Sequence, residues 1–365
     1  MTMTRSKQSG SVIIIVLWTA VLLTVLVTAM AGKVRLSAQT ASHNRDASWE
    51  WAQLMAAVNF AEAELMLARM APPIGQQLEE SEEGELLNPA YRFDGESLQT
   101  SYPLPENMTI RIYDHAGKIN LNRIPRTNMQ LLIEKRLGGI DADPEEVQDL
   151  LAAWMDWTDL NDLEDLNGAE RDYYMDLEQP YAPRNNPELD TVEEILHVRG
   201  FAELFEGVNL DAAFTIYGNT RTVNLNVATR EAMRLLPGLD DELIETIIAY
   251  RELEDINNQA EIAEIVPFEN LQELTTWIGT NTSEIYSIFA YPQQQTNSGA
   301  PTGLSSSAEE HDEEALEGED GVRQAYMEIV EVRSGTALPR VYKIDPYGKL
   351  PDTAKARVEE YGIEL

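Results

Sequence analysis

The sequence predicts an α+β fold, in which one long N-terminal helix packs on an antiparallel sheet that carries a large all-helical insertion. Three observations predict it. No proline interrupts residues 1–71, alternating apolar residues occur near 108–121 and again near 324–345, and residues 126–205 follow a helical pattern.

The N-terminal helix begins with an uncharged apolar run from Ser11 to Ala31. Its 21 residues are enough to cross a bilayer and exceed the roughly 7–15 apolar residues of a signal-peptide core. Arg5 and Lys7 precede the run, so we expect a single-pass anchor with its N-terminus in the cytoplasm and its body on the other side. Cleavage by signal peptidase after the A-x-A pattern at residues 29–31 is an open alternative.

The helical pattern continues beyond the apolar run. Apolar residues from Trp51 to Ala68 recur in steps of three and four, which places them on one face of a helix. Pro72 and Pro73 end the pattern. A helix over residues 11–71 would be about 90 Å long, so half of it would lie in lipid and half would pack on a folded domain.

The composition predicts an exported, acidic protein with a sizeable core. The 365 residues are 43% hydrophobic and include no cysteine, so the chain has no disulfides. The 63 acidic residues outnumber the 27 basic ones, which argues against nucleic-acid binding over most of the surface. This excess favours salt tolerance or cation binding, although most of these acids are expected simply to keep the surface solvated.

The organisation of the body follows from changes of pattern along the chain. In the body, the alternation of apolar and polar residues over 108–121 predicts a hairpin that turns at Gly117. We predict a first part of the sheet, an inserted helical domain with an acidic loop, sheet strands with a helix-hairpin-helix-like segment, an acidic disordered linker and a C-terminal hairpin. These segments are residues 72–124, 125–208, 209–292, 293–320 and 321–365.

A short sequence echo lies on the two sides of the helical region. INLNRIPRTNMQLLI begins at Ile119 and VNLNVATREAMRLLP at Val223, and each reads as a strand ending in Asn-Leu-Asn before a threonine that can cap a helix. The echo fits a reused strand-to-helix connector. It also fits a helical lobe inserted between two equivalent strands of one sheet, and both explanations can hold.

The second copy of the echo continues into LLPGLDDELIETIIAYR, which looks like a helix-hairpin-helix unit with its hairpin at residues 236–238. Such hairpins bind DNA phosphates through backbone N–H groups, so a membrane-anchored DNA receptor is an alternative function. The acids that follow would repel phosphate, which favours a structural use of the hairpin. They are Asp240, Asp241, Glu242 and Glu245.

The sequence contains no catalytic constellation, and we predict that the chain is not an enzyme. No serine-centred elbow, P-loop or dinucleotide fingerprint occurs. The four histidines are scattered, without metal-ligand spacing. They are His43, His115, His197 and His311.

Carboxylate and amide side chains crowd residues 156–172. Calcium takes roughly six to eight oxygen ligands, and so many carboxylates would repel one another without a cation or water between them. An EF-hand does not explain the spacing, because Leu163 and Glu164 stand where that loop needs Asp or Asn and then Gly. A solvated acidic loop is the open alternative. The oxygen-bearing residues are Asp156, Asp159, Asn161, Asp162, Glu164, Asp165, Asn167, Glu170 and Asp172.

A basic leader ending in glycine, an apolar run and a continuous amphipathic helix together resemble the type IV pilin-like family. The resemblance implies cleavage by prepilin peptidase between Gly10 and Ser11. The anchor would be retained in the inner membrane, and the net charge would change from −36 to −38. Two positions depart from the family pattern. The first mature residue is Ser11 where phenylalanine is usual, and the fifth is Ile15 where most members have glutamate.

Ile15 predicts a place at the tip of an assembly. A glutamate buried in a bilayer costs several kcal/mol unless it meets a positive partner, such as the N-terminal amine of the next subunit. A subunit with nothing above it has no such partner, so an apolar residue is favoured there. The bulky helical insertion would also clash with a neighbour stacked above. Neutral drift at one lipid-facing position is the alternative.

Residues 149–201 resemble the central signature of general secretion pathway protein K, a minor pseudopilin family of type II secretion. In that family Asp-Trp and spaced acids lead to Gly-Ala-Glu, an acid with tyrosine, a loop with asparagine, and a helix with Val-x-Gly. The matching residues are Asp156-Trp157, Asp159, Asn161, Gly168-Ala169-Glu170, Asp172, Tyr173-Tyr174, Asn186, Glu193-Glu194 and Val198-Arg199-Gly200.

This resemblance implies a role in assembly. The chain would join other minor pseudopilins, cap the tip and initiate the periplasmic pseudopilus that helps to export proteins across the outer membrane, with no nucleic-acid partner. The resemblance also implies calcium as a structural cofactor in the acidic loop and its neighbour. The implied ligands are Asp159, Asn161, Glu170 and Asp172, with Asp156 and Asn186 as further candidates.

Overall fold

The fold is described by a computed structural model over residues 10–70, 92–98, 105, 108–178, 180–183, 186–292, 324–333 and 338–351. The predicted acidic linker and all of the predicted leader except Gly10 lie outside these residues. The chain divides into two units, residues 1–55 and 56–365.

The N-terminal helix, α1, spans Gly10–Ala68 and ends three residues before the predicted end. By length and composition it can cross a membrane, with a mean hydropathy of 2.7 over its most apolar 18 residues. The apolar side chains of its first half, in the first unit, are exposed. Its last turns belong to the second unit and bury small and branched side chains. These are Ala57, Val58, Ala61 and Leu65.

The second unit contains a five-stranded antiparallel sheet in the order β1-β2-β7-β8-β9. Arg69, just after α1, donates hydrogen bonds of 3.0 and 2.7 Å to the hydroxyl of Tyr286 in this sheet. The last two strands pair as the predicted C-terminal hairpin. The strands are Asp94–Ser97 (β1), Met108–Asp114 (β2), Ile285–Pro292 (β7), Gln324–Glu331 (β8) and Arg340–Lys349 (β9).

The predicted hairpin over residues 108–121 is wrong, because β2 pairs with β7 and not with the residues that follow it. The chain instead enters a 3₁₀ turn at His115–Gly117. Glycine is required at the end of that turn, since a Cβ on Gly117 would lie 2.1 Å from the backbone oxygen of Val227. Alternation identified the strand but not its partner, because the period of two records burial and not pairing.

Residues 115–284 lie between the neighbouring strands β2 and β7, so the helical region extends beyond the predicted 125–208. The strands within it do not join the main sheet. One apolar core fills the region and includes Met129, Leu151 and Ile195. The helices are Arg126–Arg136 (α2), Pro144–Trp157 (α3), Arg171–Met175 (α4), Phe201–Leu204 (α5), Leu210–Ala213 (α6), Arg230–Leu235 (α7), Asp241–Leu253 (α8), Gln259–Ile265 (α9) and Phe268–Leu274 (α10), with 3₁₀ turns at Gly139–Asp141 and Val192–His197.

Two short parallel strand pairs divide the helical region into two modules. Ile119–Asn120 (β3) pairs with Phe214–Thr215 (β4) and encloses α2 to α6. Val223–Asn224 (β5) pairs with Ile278–Gly279 (β6) and encloses α7 to α10. Each module therefore begins at one copy of the sequence echo.

The Asn-Leu-Asn motifs make the same contacts in both modules. The side chain of the first asparagine accepts a 3.1 Å hydrogen bond from the backbone N–H of the second. Asn122 then brackets Leu189, accepting from its N–H at 2.7 Å and donating to its carbonyl at 3.2 Å. Asn226 brackets Ile256 in the same way, at 2.8 and 2.9 Å. The echo is thus a repeated connector that fastens a distant loop to the start of each module.

Candidate metal centre

Three carboxylates converge where the acidic loop begins and ends. Asp156 lies in the last turn of α3, Asp159 follows that helix, and Glu170 immediately precedes α4. One oxygen of each lies within 4.8 Å of the others. The loop between the two helices folds back on itself and brings Glu170 to the end of α3.

Asp156 organises the backbone of this loop. Its side chain is 2% exposed and accepts hydrogen bonds from the backbone N–H groups of Asp165, at 3.1 Å, and Ala169, at 2.8 Å. Gly168 must lack a side chain, because a Cβ there would lie 1.9 Å from a carboxylate oxygen of Asp156. The Gly-Ala-Glu sequence therefore fits closely around this carboxylate.

Arg199 holds the end of the loop from the other side. Its guanidinium donates to the carbonyl of Gly168 at 2.6 Å, to that of Asp149 at 3.0 Å and to that of Asn167. The guanidinium also lies over the ring of Tyr173, 5.4 Å from its centroid. One cation thus gathers three carbonyl oxygens and closes the loop against α3.

An aromatic cluster lies beneath the loop. Trp157 and Tyr174 meet edge to face with ring centroids 5.1 Å apart, and Tyr181 lies 5.2 Å from Tyr174. The hydroxyl of Tyr174 accepts a hydrogen bond of 3.2 Å from the backbone N–H of Arg199. Trp157 and Tyr174 are buried and belong to the apolar core of the helical region.

Glu170 is a buried carboxylate whose charge is not compensated by hydrogen bonds from the described residues. It is 5% exposed, and neither of its oxygens has a hydrogen-bond partner among the described residues. Burial, followed by the charges of Asp156 and Asp159, raises the pKa of Glu170 to about 7. Burial also raises the pKa of Asp156, while its hydrogen bonds from the loop act in the opposite direction. A group of three carboxylates, of which the buried Glu170 has no hydrogen-bond partner among the described residues, fits a hard cation such as calcium.

A protein K family model from the type II secretion system matches residues 117–205, which span this loop and its supports. The predicted resemblance to this family is therefore confirmed over residues 117–205, which we call the protein K domain. The members of the family are secretion components.

Most of the chain is also similar to a chain in the crystal structure of the GspK–GspI–GspJ complex from the enterotoxigenic Escherichia coli type 2 secretion system. The two are 12% identical with a TM-score of 0.46, over 84% of this chain and 98% of that chain. No curated protein matches the chain.

The protein K domain brings together only part of the predicted ligand set. Asp156, Asp159 and Glu170 converge, whereas Asp172 is exposed on α4 and does not join this group of carboxylates. The side-chain oxygen of Asn161 accepts from the N–H of Leu163 at 2.8 Å, and that of Asn186 accepts from the N–H of Glu188 at 3.3 Å. The roles of Asn161, Asp172 and Asn186 as ligands stay predictions.

Sequence reasoning assigned no role to Arg199. The residue lies in the Val-x-Gly part of the quoted motif, but its function depends on carbonyl groups of Asp149, Asn167 and Gly168 that only the folded domain assembles. A basic residue within such an acidic region was the available signal.

The helix-hairpin-helix-like turn outside the protein K domain is occupied by internal contacts. Leu236 and Leu239 are buried, and Lys135 of α2 donates to the carbonyl of Leu239 at 2.6 Å. Asn270 of α10 donates to the carbonyl of Gly238 at 2.8 Å. The turn packs between helices, which does not favour the DNA-receptor alternative.

Stability without calcium should fall as the pH rises through about 7. The folded pKa of Glu170, about 7, lies above the ordinary value of 4.5, so the folded protein holds a proton that the unfolded chain releases. The stabilisation from that proton is fully present below the ordinary pKa and is lost above the folded one. Melting curves in chelator between about pH 5 and pH 8 should show this decline, and Glu170→Gln should reduce it. An unchanged slope in the Gln variant would contradict the assignment.

Proposed function

We propose that the chain caps the tip of a periplasmic pseudopilus and initiates its assembly. The single observation that carries the proposal is the match of residues 117–205 to protein K of the type II secretion system. Two features of the chain support the tip position. Ile15 replaces a charged residue in the apolar part of α1, and residues 115–284 add bulk between two strands of the sheet.

The tip position is tested by labelling the chain in assembled pseudopili. A small peptide tag after Leu365, decorated with gold particles, should appear in few copies at one end of each filament. The same tag on the major filament subunit serves as the control and should appear along the shaft. Regular labelling of this chain along the shaft would refute the tip placement.

We propose other minor pseudopilins as the partners of the chain. Co-purification of the body with the remaining minor pseudopilins of the same system tests this assignment separately from the tip position. A body that purifies alone under conditions in which those proteins associate with one another would contradict it.

The anchor is proposed to be a single pass through the inner membrane, with a cytoplasmic N-terminus and a periplasmic body. The apolar helix is compatible with this arrangement by length and composition. The leader bases Arg5 and Lys7 support the orientation.

Processing should occur between Gly10 and Ser11. Prepilin peptidase would cut before the apolar run, on the cytoplasmic side, so the mature chain keeps its anchor. Mass spectrometry of the mature N-terminus should find Ser11, and a bulky residue in place of Gly10 should abolish cleavage. A mature chain that begins at Gly32 would instead indicate signal peptidase.

Calcium is the proposed structural cofactor of the acidic loop. Asp156, Asp159 and Glu170 would hold it, and its charge would relieve the repulsion among these carboxylates, two of which are buried. The chain itself fixes the positions of these carboxylates. It does so through the hydrogen bonds that Asp156 accepts from the loop backbone and through those that Arg199 donates to the loop carbonyls.

A further inference from the structure

The acidic loop also exposes three leucines. Leu160, Leu163 and Leu166 are 74%, 77% and 90% exposed. Single exposed leucines are ordinary on protein surfaces, so none of them would need an explanation alone. Their concentration is different, because they occupy every third position of one short segment. We call residues 159–166 the leucine loop.

The loop is held in a form that keeps these side chains outside the core. The N–H of Asn161 donates to Asp159 at 2.9 Å, the N–H of Leu163 donates to Asn161 at 2.8 Å, and the N–H of Asp165 donates to Asp156. Backbone polar groups are thus satisfied by neighbouring side chains within the loop and its base. The leucines alternate with these anchors and remain in solvent.

The charge around the leucines limits what can cover them. From residue 160 to residue 166 the chain has three exposed acids and no base. A second copy of this chain, with a net charge of −36, and an anionic lipid surface would both be repelled. Exposed apolar side chains interspersed with acids complement an apolar groove with a basic border. The acids are Asp162, Glu164 and Asp165.

We propose that the leucine loop docks a protein partner that presents an apolar groove edged with lysine or arginine. The leucines would enter the groove, and the surrounding carboxylates would face the basic edge and set the orientation. The proposal does not depend on the tip position, since a docked partner can be detected wherever the chain lies in the assembly.

Photo-crosslinking in cells that contain the intact secretion system tests this docking. The full chain carries the photoreactive residue p-benzoylphenylalanine at position 163 or, as a matched control, at position 253, because Leu253 is also 90% exposed. We expect position 163 alone to crosslink to one other protein, at a site flanked by lysine or arginine. Crosslinks only to a second copy, to lipid or to an acidic surface, or no yield above the control, would overturn the proposal.

The contribution of the leucines is then measured with the mapped partner and the full chain in detergent. Replacing Leu160, Leu163 and Leu166 together by serine should weaken Kd at least tenfold, and Leu253→Ser should leave it unchanged. Raising the salt from about 50 mM to about 500 mM should also weaken binding to the parent chain. The triple variant should have the same melting temperature as the parent, since the three replaced side chains are exposed. Parental affinity in the triple variant would overturn the proposal.

Discussion

Calcium should raise the melting temperature of the chain, and Glu170→Ala should abolish that rise. A ligand that binds only the folded state at about 100 times its Kd stabilises by about 2.7 kcal/mol, which corresponds to several degrees for a body of this size. With calcium bound, the parent should be more stable than Glu170→Ala, and without calcium this order of stability should reverse. Glu170→Ala should then be more stable than the parent near pH 8, because it removes a buried carboxylate that has no hydrogen-bond partner.

Glu164→Ala is the matched control for this experiment. Glu164 is an exposed acid of the same loop and lies outside the group of three converging carboxylates. It should keep most of the calcium response. The metal site would be refuted if millimolar calcium and chelator gave the parent the same melting temperature and Glu170→Ala behaved like the parent in both.

Arg199→Ala should lower the free energy of unfolding by about 2–4 kcal/mol. The substitution removes charge-assisted hydrogen bonds to the carbonyls of Asp149, Asn167 and Gly168 at once, and solvent replaces them only in part because the site is partly buried. It should also weaken calcium binding, since Gly168 lies against the carboxylate of Asp156.

Arg199→Lys should recover only part of this loss, because an ammonium group lacks the planar fork that reaches several carbonyls. Arg333→Ala is the matched control. Arg333 pairs with Glu331 at the surface, and its loss should lower the free energy of unfolding much less than the loss of Arg199 does. Denaturant titrations of the three variants measure these differences. Equal changes in the free energy of unfolding for Arg199→Ala and Arg333→Ala would show that the hydrogen bonds of the Arg199 guanidinium contribute little.

Sequence patterns predicted the individual elements better than their connections. The period of α1 and the alternation of β2, β8 and β9 are local properties of burial, and the structure contains each of these elements. The partner of β2 was missed because the nearest apolar segment along the chain was taken as its neighbour. The true partner, β7, follows the whole helical region, and no local pattern encodes such a long-range pairing.

The candidate site was predictable in its composition but not in its geometry. Carboxylates crowded into one loop indicated a cation site, and Asp159 and Glu170 do converge with Asp156. Spacing could not separate these from Asp172, which lies on the exposed side of a helix that begins one residue after Glu170. Asn161 was a plausible ligand by type, but its side-chain oxygen accepts from the backbone of its own loop.

The insertion of residues 115–284 between two paired strands has a consequence for how the molecule folds. Asp114 and Tyr286 stand opposite each other in the sheet, so they must meet across the whole intervening chain. Closing so long a loop while it is unstructured is entropically costly and slow. The two modules each close on their own short parallel pair, β3–β4 and β5–β6, and once formed they bring the ends of the insertion together. We therefore expect the helical modules to protect their amides from hydrogen exchange before the β2–β7 ladder does. A variant that unfolds a module should lose the sheet as well.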